Sequence, residues 1–316
     1  MKKEAVVLLN MGGPNNLDEV EVFLKNMFSD KNILTMKSSL LRKFIGGLIV
    51  FTRTESSQDI YRQIGGKSPI VGHTKKLIKK LQDRLGSDIL VDFAMRYTPP
   101  FAKEVIDRLN KEEVDKIYLI PLYPQYSTTT TKSSLEDFEE VYHLSGADAV
   151  LVEIKHFFEN ESYNKAVIAR IQEQMQDSKY KDFDMIFSAH GLPQKIIDAG
   201  DVYERHIKKH IMILKKKLEE KGMNFHKVHL AYQSKVGPME WLKPSLGDKL
   251  ENIKDRGVVI FPIAFTIDNS ETDYELEIEY KEIAHELGIK EYKVCRCPND
   301  SDFFVDALQE IYERMK

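Results

Sequence analysis

The stretch FDMIFSAHGLP (183–193) reads as a buried strand ending on a polar corner. Met185, Ile186 and Phe187 form a continuous apolar run, Ser188, Ala189 and His190 follow, and Gly191 and Pro193 turn the chain away. AVVLLNMGGP (5–14) has the same form: an apolar strand, a polar or sulfur-bearing tip, then Gly-x-Pro. A second pair answers the first. KIYLIPLYPQYSTTT (116–130) and GVVIFPIAFTIDNSET (257–272) are both strands with an internal proline that run into a hydroxyl-rich tip. The halves therefore correspond, with about 40 additional residues between the first two strands of the first half.

Working outward, short apolar runs alternate with longer amphipathic ones. The predicted strands are 5–11, 89–95, 116–122 and 149–154 in one set, and 183–189, 227–233, 257–265 and 291–295 in the other. Helical patterns fall at 70–85, 101–113, 133–144, 161–178, 203–221 and 272–287. Continuous apolar strands alternating with helices predict an α/β fold with parallel sheets. The expectation is two similar Rossmann-like domains, each a four-stranded parallel sheet flanked by helices. The first covers 1–152, with the helix 301–316 packing back on it. The second, 153–300, carries His190. The extra material lies at about 29–68 and contains SSLLRKFIGGLIVFTRT (38–54). Two readings of it stay open: an apolar lip over a pocket or on lipid, or a buried helix between the domains.

Composition excludes several classes. The 316 residues are 42% hydrophobic with a formal net charge of −4, and no basic cluster stands out, so no nucleic-acid partner is expected. The apolar run after the N-terminal MKKE is too short for a signal peptide, and no segment reaches the ~20 apolar residues of a spanning helix. The two cysteines, Cys295 and Cys297, are one residue apart, which suits neither an unstrained disulfide nor a complete zinc or iron–sulfur site. A cytoplasmic location fits that usage. P-loop, dinucleotide, nucleophile-elbow and zinc-helix motifs are all absent.

In such sheets ligands bind beyond the C-terminal ends of the strands. That rule collects Met11, Arg96, Tyr97, Tyr123 to Ser127, His190, Gln233, Ser234 and Asp268 to Glu271. Two features there bear chemistry. One is His190. The other is the acidic run DNSETDYELEIEY (268–280), in which Glu271, Glu275 and Glu279 recur every four residues on one predicted helical face, with Asp268 just before them. Such a stripe is relieved by solvent or by a cation. Imidazole opposite carboxylate suits a divalent metal or a general base, and on residues alone both readings remain.

At these motifs the sequence resembles the ferrochelatase family, over nearly the whole chain. The matching stretches include LLNMGGP (8–14), YRQIGGKSPI (61–70), MRYTPP (95–100), PLYPQYSTTT (121–130), FSAHGLP (187–193), AYQSKVGPMEWLKP (231–244) and PIAFTIDNSETDYELEIEY (262–280). The resemblance implies a chelatase-like fold with a porphyrin cleft between the domains, and His190 facing Glu271 as catalytic and metal-binding residues. It implies Asp268, Glu275 and Glu279 as a path for metal or protons. Met11, Tyr97, Tyr123 and Trp241 are implied for the ring, and Arg53, Tyr61 and Ser68 for the propionate edge. The implied activity is insertion of Fe2+ into protoporphyrin IX as the last step of haem biosynthesis. The alternatives are coproporphyrin III as substrate, or a non-catalytic tetrapyrrole-binding protein. The apolar 40–51 segment favours protoporphyrin, and suggests peripheral contact with the inner face of the membrane. The chain departs from the family twice. Asn269 stands where many members have His, which puts a proton relay there in question. A cysteine-rich cluster motif is lacking, so no [2Fe–2S] cluster is expected and no permanent cofactor is implied.

Overall fold

The computed structural model describes residues 3–36, 38–235 and 237–316. It divides into two compact units, Met1–His156 with Leu308–Lys316, and Phe157–Ala307. As the repeat predicts, each holds a four-stranded parallel sheet flanked by helices. The first sheet is built from β1 (Lys3–Asn10), β2 (Ile89–Met95), β3 (Val114–Pro121) and β4 (Val150–Glu153), in the order β2-β1-β3-β4. The second uses β5 (Phe183–His190), β6 (Lys227–Gln233), β7 (Gly257–Pro262) and β8 (Glu291–Val294), in the order β6-β5-β7-β8. The register repeats too: Asn10 lies opposite Met95 and His190 opposite Gln233, so the last residues of β1 and β5 are equivalent.

The two central strands are covered on both faces, which explains their unbroken apolar runs. Ala5, Val6, Val7 and Leu8 are fully buried, as are Met185, Ile186 and Phe187. In the first unit, Val7 and Leu119 pack with Val105, Ile106 and Phe138 of the flanking helices. In the second, Ile186 and Ile260 pack with Leu246, Leu250 and Leu276. The C-terminal helix ties its end to the first sheet: Tyr312 donates to Glu4 at 2.7 Å and meets Tyr118 edge-on at 4.9 Å.

β7 is shorter than the predicted 257–265. Pro262 has no N–H to give the ladder. Ile263 N makes the last bond, to Ser188 O at 2.9 Å, and Phe265 N turns back to Pro262 O. The segment after β7 also differs from expectation. Residues Glu271–Glu279 form a π-helix, and only Tyr280–Glu286 is α-helical. A spacing of four residues is close to one turn in either helix, so the acidic pattern does not distinguish them. The additional material of the first half is one long helix, Ser39–Gln63, packed on the helix Glu19–Ser29 through Val20, Leu24, Val50 and Tyr61. Its other face leaves Leu40, Phe44, Leu48 and Phe51 exposed by 79, 72, 57 and 86%.

Candidate active site

The C-terminal tips of β5 and β6 and the first turns of the π-helix bring five polar side chains together within the second unit. His190, the last residue of β5, sets Nδ1 2.8 Å from Glu271 Oε2. The imidazole is 37% exposed and the carboxylate 22%. Glu271 Oε2 also accepts from Ser234 Oγ at 2.7 Å and from Gln233 Nε2 at 3.3 Å. Glu275, one turn on, accepts from Ser234 N at 2.7 Å and from Gln233 Nε2 at 3.2 Å. Ser234 Oγ lies 2.5 Å from Glu275 Oε2 as well. One hydroxyl proton cannot serve both carboxylates at once.

The electrostatics resolve that competition. Burial, then the neighbouring Glu271 charge, push the Glu275 carboxyl up to about 7. Glu271 moves the other way. Burial opposes its charge, but the His190 imidazole and the donors Ser234 and Gln233 outweigh burial and hold it below the ordinary carboxylate range. Burial likewise acts to lower His190, and the charge and hydrogen bond of Glu271, with Glu275 behind it, raise it above the usual imidazole value. Glu275 therefore keeps a proton where Glu271 stays ionised, and this protonated acid completes the hydrogen bonding around Ser234.

Local backbone features place these groups. Tyr203 Oη donates to the carbonyl of His190 at 3.0 Å. Gly191 N continues the ladder to Gln233 O, and a Cβ on Gly191 would come within 2.9 Å of that oxygen, so only glycine fits there. Ser234 sits at φ 63, a left-handed conformation rare for a non-glycine residue. Its N–H reaches Glu275 from that conformation. Asn269 braces the entry to the π-helix: its Oδ1 accepts from Glu271 N at 2.8 Å and its Nδ2 donates to Ile267 O at 3.1 Å. That is a positioning task a neutral amide performs well.

The other residues singled out in the sequence fall in several places. Asp268 is 1% exposed and engaged away from the carboxylate pair, accepting from Cys297 N at 2.9 Å and Asn299 Nδ2 at 2.7 Å. Asp268 thus turns to the Cys297–Asn299 loop instead of lying in one arc with the three glutamates, and Glu279 is solvent-exposed on the π-helix. Trp241 lies at the β5 tip, where it bridges Pro193 and its ring borders Gly191. In the first unit, Met11 is half-buried at the β1 tip. Tyr97 is 2% exposed and donates to Asp30 at 2.8 Å, while Tyr123 is 8% exposed and bonded to Ser134 at 3.0 Å. Tyr61 is 5% exposed in the cluster beneath the long helix. All three tyrosines are buried in this structure. Ser68 is also buried, with its Oγ accepting from Ile70 N at 3.4 Å. Arg53 is half-buried on the long helix. Gln233 and Ser234 were legible as strand-tip residues, but nothing in their identity marks the left-handed turn that aims them at both carboxylates.

The ferrochelatase family model matches residues 3–316. A ferrochelatase of Sulfurimonas denitrificans is 70% identical over 316 residues, spanning 100% of both chains. One from Helicobacter pylori is 45% identical over 315 residues, 99% of this chain and 93% of that one. Among solved structures, SirB from Bacillus subtilis with Fe3+ aligns with a TM-score of 0.59 at 13% identity, covering 100% of this chain and 96% of that one. CbiX, the terminal enzyme for biosynthesis of siroheme in denitrifying bacteria, aligns at 0.52 and 10% identity, covering 100% of both. At such identities these structures speak to the fold, which is that of the chelatases. The family model and the high-identity relatives both run the length of the chain, and the chain belongs to the ferrochelatase family.

Proposed function

We propose that this chain inserts Fe2+ into protoporphyrin IX, giving protohaem and releasing two protons, as a lyase in the final step of haem biosynthesis. The observation that carries this reading is the His190–Glu271 pair, held at 2.8 Å between the tip of β5 and the start of the π-helix in a ferrochelatase-family chain. With Nδ1 turned to Glu271, the acceptor that His190 offers a substrate is Nε2. Two pyrrole N–H protons must leave the ring before its nitrogens bind the metal. Nε2 takes a proton, and the ionised Glu271 stabilises the imidazolium that forms. Before that proton transfer the same Nε2 lone pair and a Glu271 oxygen hold the incoming Fe2+, a donor set suited to a borderline cation, and Nε2 is free for the proton once the metal passes to the ring. Glu275, with a carboxyl near 7, passes protons away from the pair, and the exposed Glu279 continues that path outward.

Several features favour the finer assignment. The exposed Leu40, Phe44, Leu48 and Phe51 suit a ring bearing two vinyl groups better than one with two further propionates. Trp241 beside Gly191 offers an aromatic face at the site. Arg53 on the long helix supplies a cation for a propionate. We place the chain in the cytoplasm, with the apolar helix face resting on the inner surface of the membrane, where the poorly soluble substrate resides. Among the described residues, no helix is long and apolar enough to cross a membrane. We expect no [2Fe–2S] cluster: burial pushes both thiols, Cys295 and Cys297, well above the usual range, which disfavours the thiolate a cluster requires. The test is kcat/KM for protoporphyrin IX against coproporphyrin III, with Fe2+ under anaerobic conditions. The expected result is a preference for protoporphyrin of tenfold or more, about 1.4 kcal/mol in transition-state binding. Preference for coproporphyrin would overturn the substrate assignment.

A further inference from the structure

Ser188 is fully buried two residues before His190, and the reaction outlined above gives it no task. Its Oγ donates to Gln233 Oε1 at 2.7 Å. Strand parity explains the meeting. Ser188 and His190 point to one face of the sheet, and Gln233 lies opposite His190 in register, so all three share that face. Both backbones are locked in the ladder, Ser188 O by Ile263 N and Gln233 O by Gly191 N.

A side-chain amide has two unlike ends. With its oxygen on Ser188, the NH2 of Gln233 faces Glu271 Oε2 at 3.3 Å and Glu275 Oε2 at 3.2 Å. Turned over, its oxygen would confront the ionised Glu271 Oε2, and both Glu271 and Glu275 would lose their Gln233 donor. Gln233 is 1% exposed, so no solvent would relieve that confrontation. We propose that Ser188 and Gln233 form an amide clamp, a pair of positioning residues that hold Glu271 and Glu275 at a fixed spacing for metal insertion. The clamp rests on the proposed ferrochelatase reading for its consequence. Its geometry rests on the hydrogen bonds alone. Ser188 acts through Gln233 and touches neither substrate nor carboxylate.

A double-mutant cycle on the full chain tests this, using Ser188→Ala, Gln233→Met and the double variant. Zn2+ insertion gives kcat and KM for porphyrin, and Co2+ binding, followed by its visible absorption, gives a readout free of turnover. Rates are taken per porphyrin-binding site, so a partly unfolded sample does not mimic a catalytic loss. Ser188→Ala is expected to lower kcat about tenfold with KM for porphyrin within about twofold. Gln233→Met lowers kcat at least as much, and the double variant is no worse than Gln233→Met. Ser188→Cys, which keeps a donor, recovers part of the loss. Additive losses in the double variant, or a Ser188→Ala protein with wild-type kcat and Co2+ affinity, would overturn the clamp. If the wild-type protein inserts no metal, the functional reading falls. The Co2+ titrations then decide the clamp alone, by whether the single variants weaken binding and the double variant weakens it no further.

Discussion

His210 shows at the scale of one residue how burial settles a histidine's chemistry. It is fully buried on the helix Tyr203–Glu220, and burial lowers its imidazole to about 3. Asn164 donates both amide protons to Phe158 O and Asn160 O, so Asn164 Oδ1 must accept from His210 Nε2–H at 2.9 Å. The tautomer is thereby fixed. Unfolded, this imidazole takes a proton below the usual value of 6.5, whereas folded it does not until about 3. The unfolded state binds more protons in that window, so His210 withdraws stability as pH falls from 6.5 toward 3. Histidine ring NMR at pH 5 is expected to show His210 neutral with Nε2 protonated. A ring titrating near 6.5 would contradict its placement. His190 differs because a carboxylate partner outweighs burial. Its position on a polar strand tip was legible in the sequence, and so was the presence of Glu271 on another tip. The roles of Ser188, Gln233 and Ser234 were not, since each depends on a hydrogen bond across strands or on a left-handed backbone that no local pattern announces.

The helix Ser39–Gln63 carries two adjacent glycines with opposite environments. A Cβ at Gly46 would lie 2.9 Å from the carbonyl oxygen of Phe28, on the packed helix Glu19–Ser29, whereas one at Gly47 would meet nothing within 4 Å. Gly47→Ala is expected to raise stability by about 0.5–1 kcal/mol through helix propensity. Gly46→Ala is expected to lower it by about 1–3 kcal/mol, because backbone rather than a flexible side chain must yield. Denaturant midpoints of the two variants check both signs, and a stabilised Gly46→Ala protein would refute the helix pairing. On the outer face, replacing Phe44 and Phe51 with Ser removes exposed aromatic area and is expected to change stability by less than about 0.5 kcal/mol. The same double change is expected to abolish flotation with anionic liposomes. Wild-type protein that never floats would remove the membrane reading. Of this segment, the sequence showed the apolar content and left its exposure open, since hydropathy does not say which face has a partner. The π-helix after β7 was hidden for a related reason: carboxylates every four residues align in α- and π-helical windings alike.

For the molecule as a whole, the repeat was the most legible feature. Two strands that match in apolar run, tip and turn, followed by two more with an internal proline, predicted two parallel sheets with equivalent central strands, and the register bears this out. The same repeat shows how one architecture holds unlike tips. Asn10 ends β1 where His190 ends β5, and Arg96 follows β2, where it pairs with Asp137 at 3.0 Å, while Ser234 follows β6 beneath two carboxylates. The central claim is that the His190 imidazole, oriented by Glu271, accepts the pyrrole protons during Fe2+ insertion. The most direct test is anaerobic Fe2+ insertion into protoporphyrin IX by the wild-type protein and by His190→Ala, with porphyrin affinity measured separately by fluorescence. The account predicts protohaem from the wild type, and from the variant a kcat lower by about 10²–10⁴ with porphyrin affinity within about threefold. A variant that turns over as fast as the wild type would contradict it.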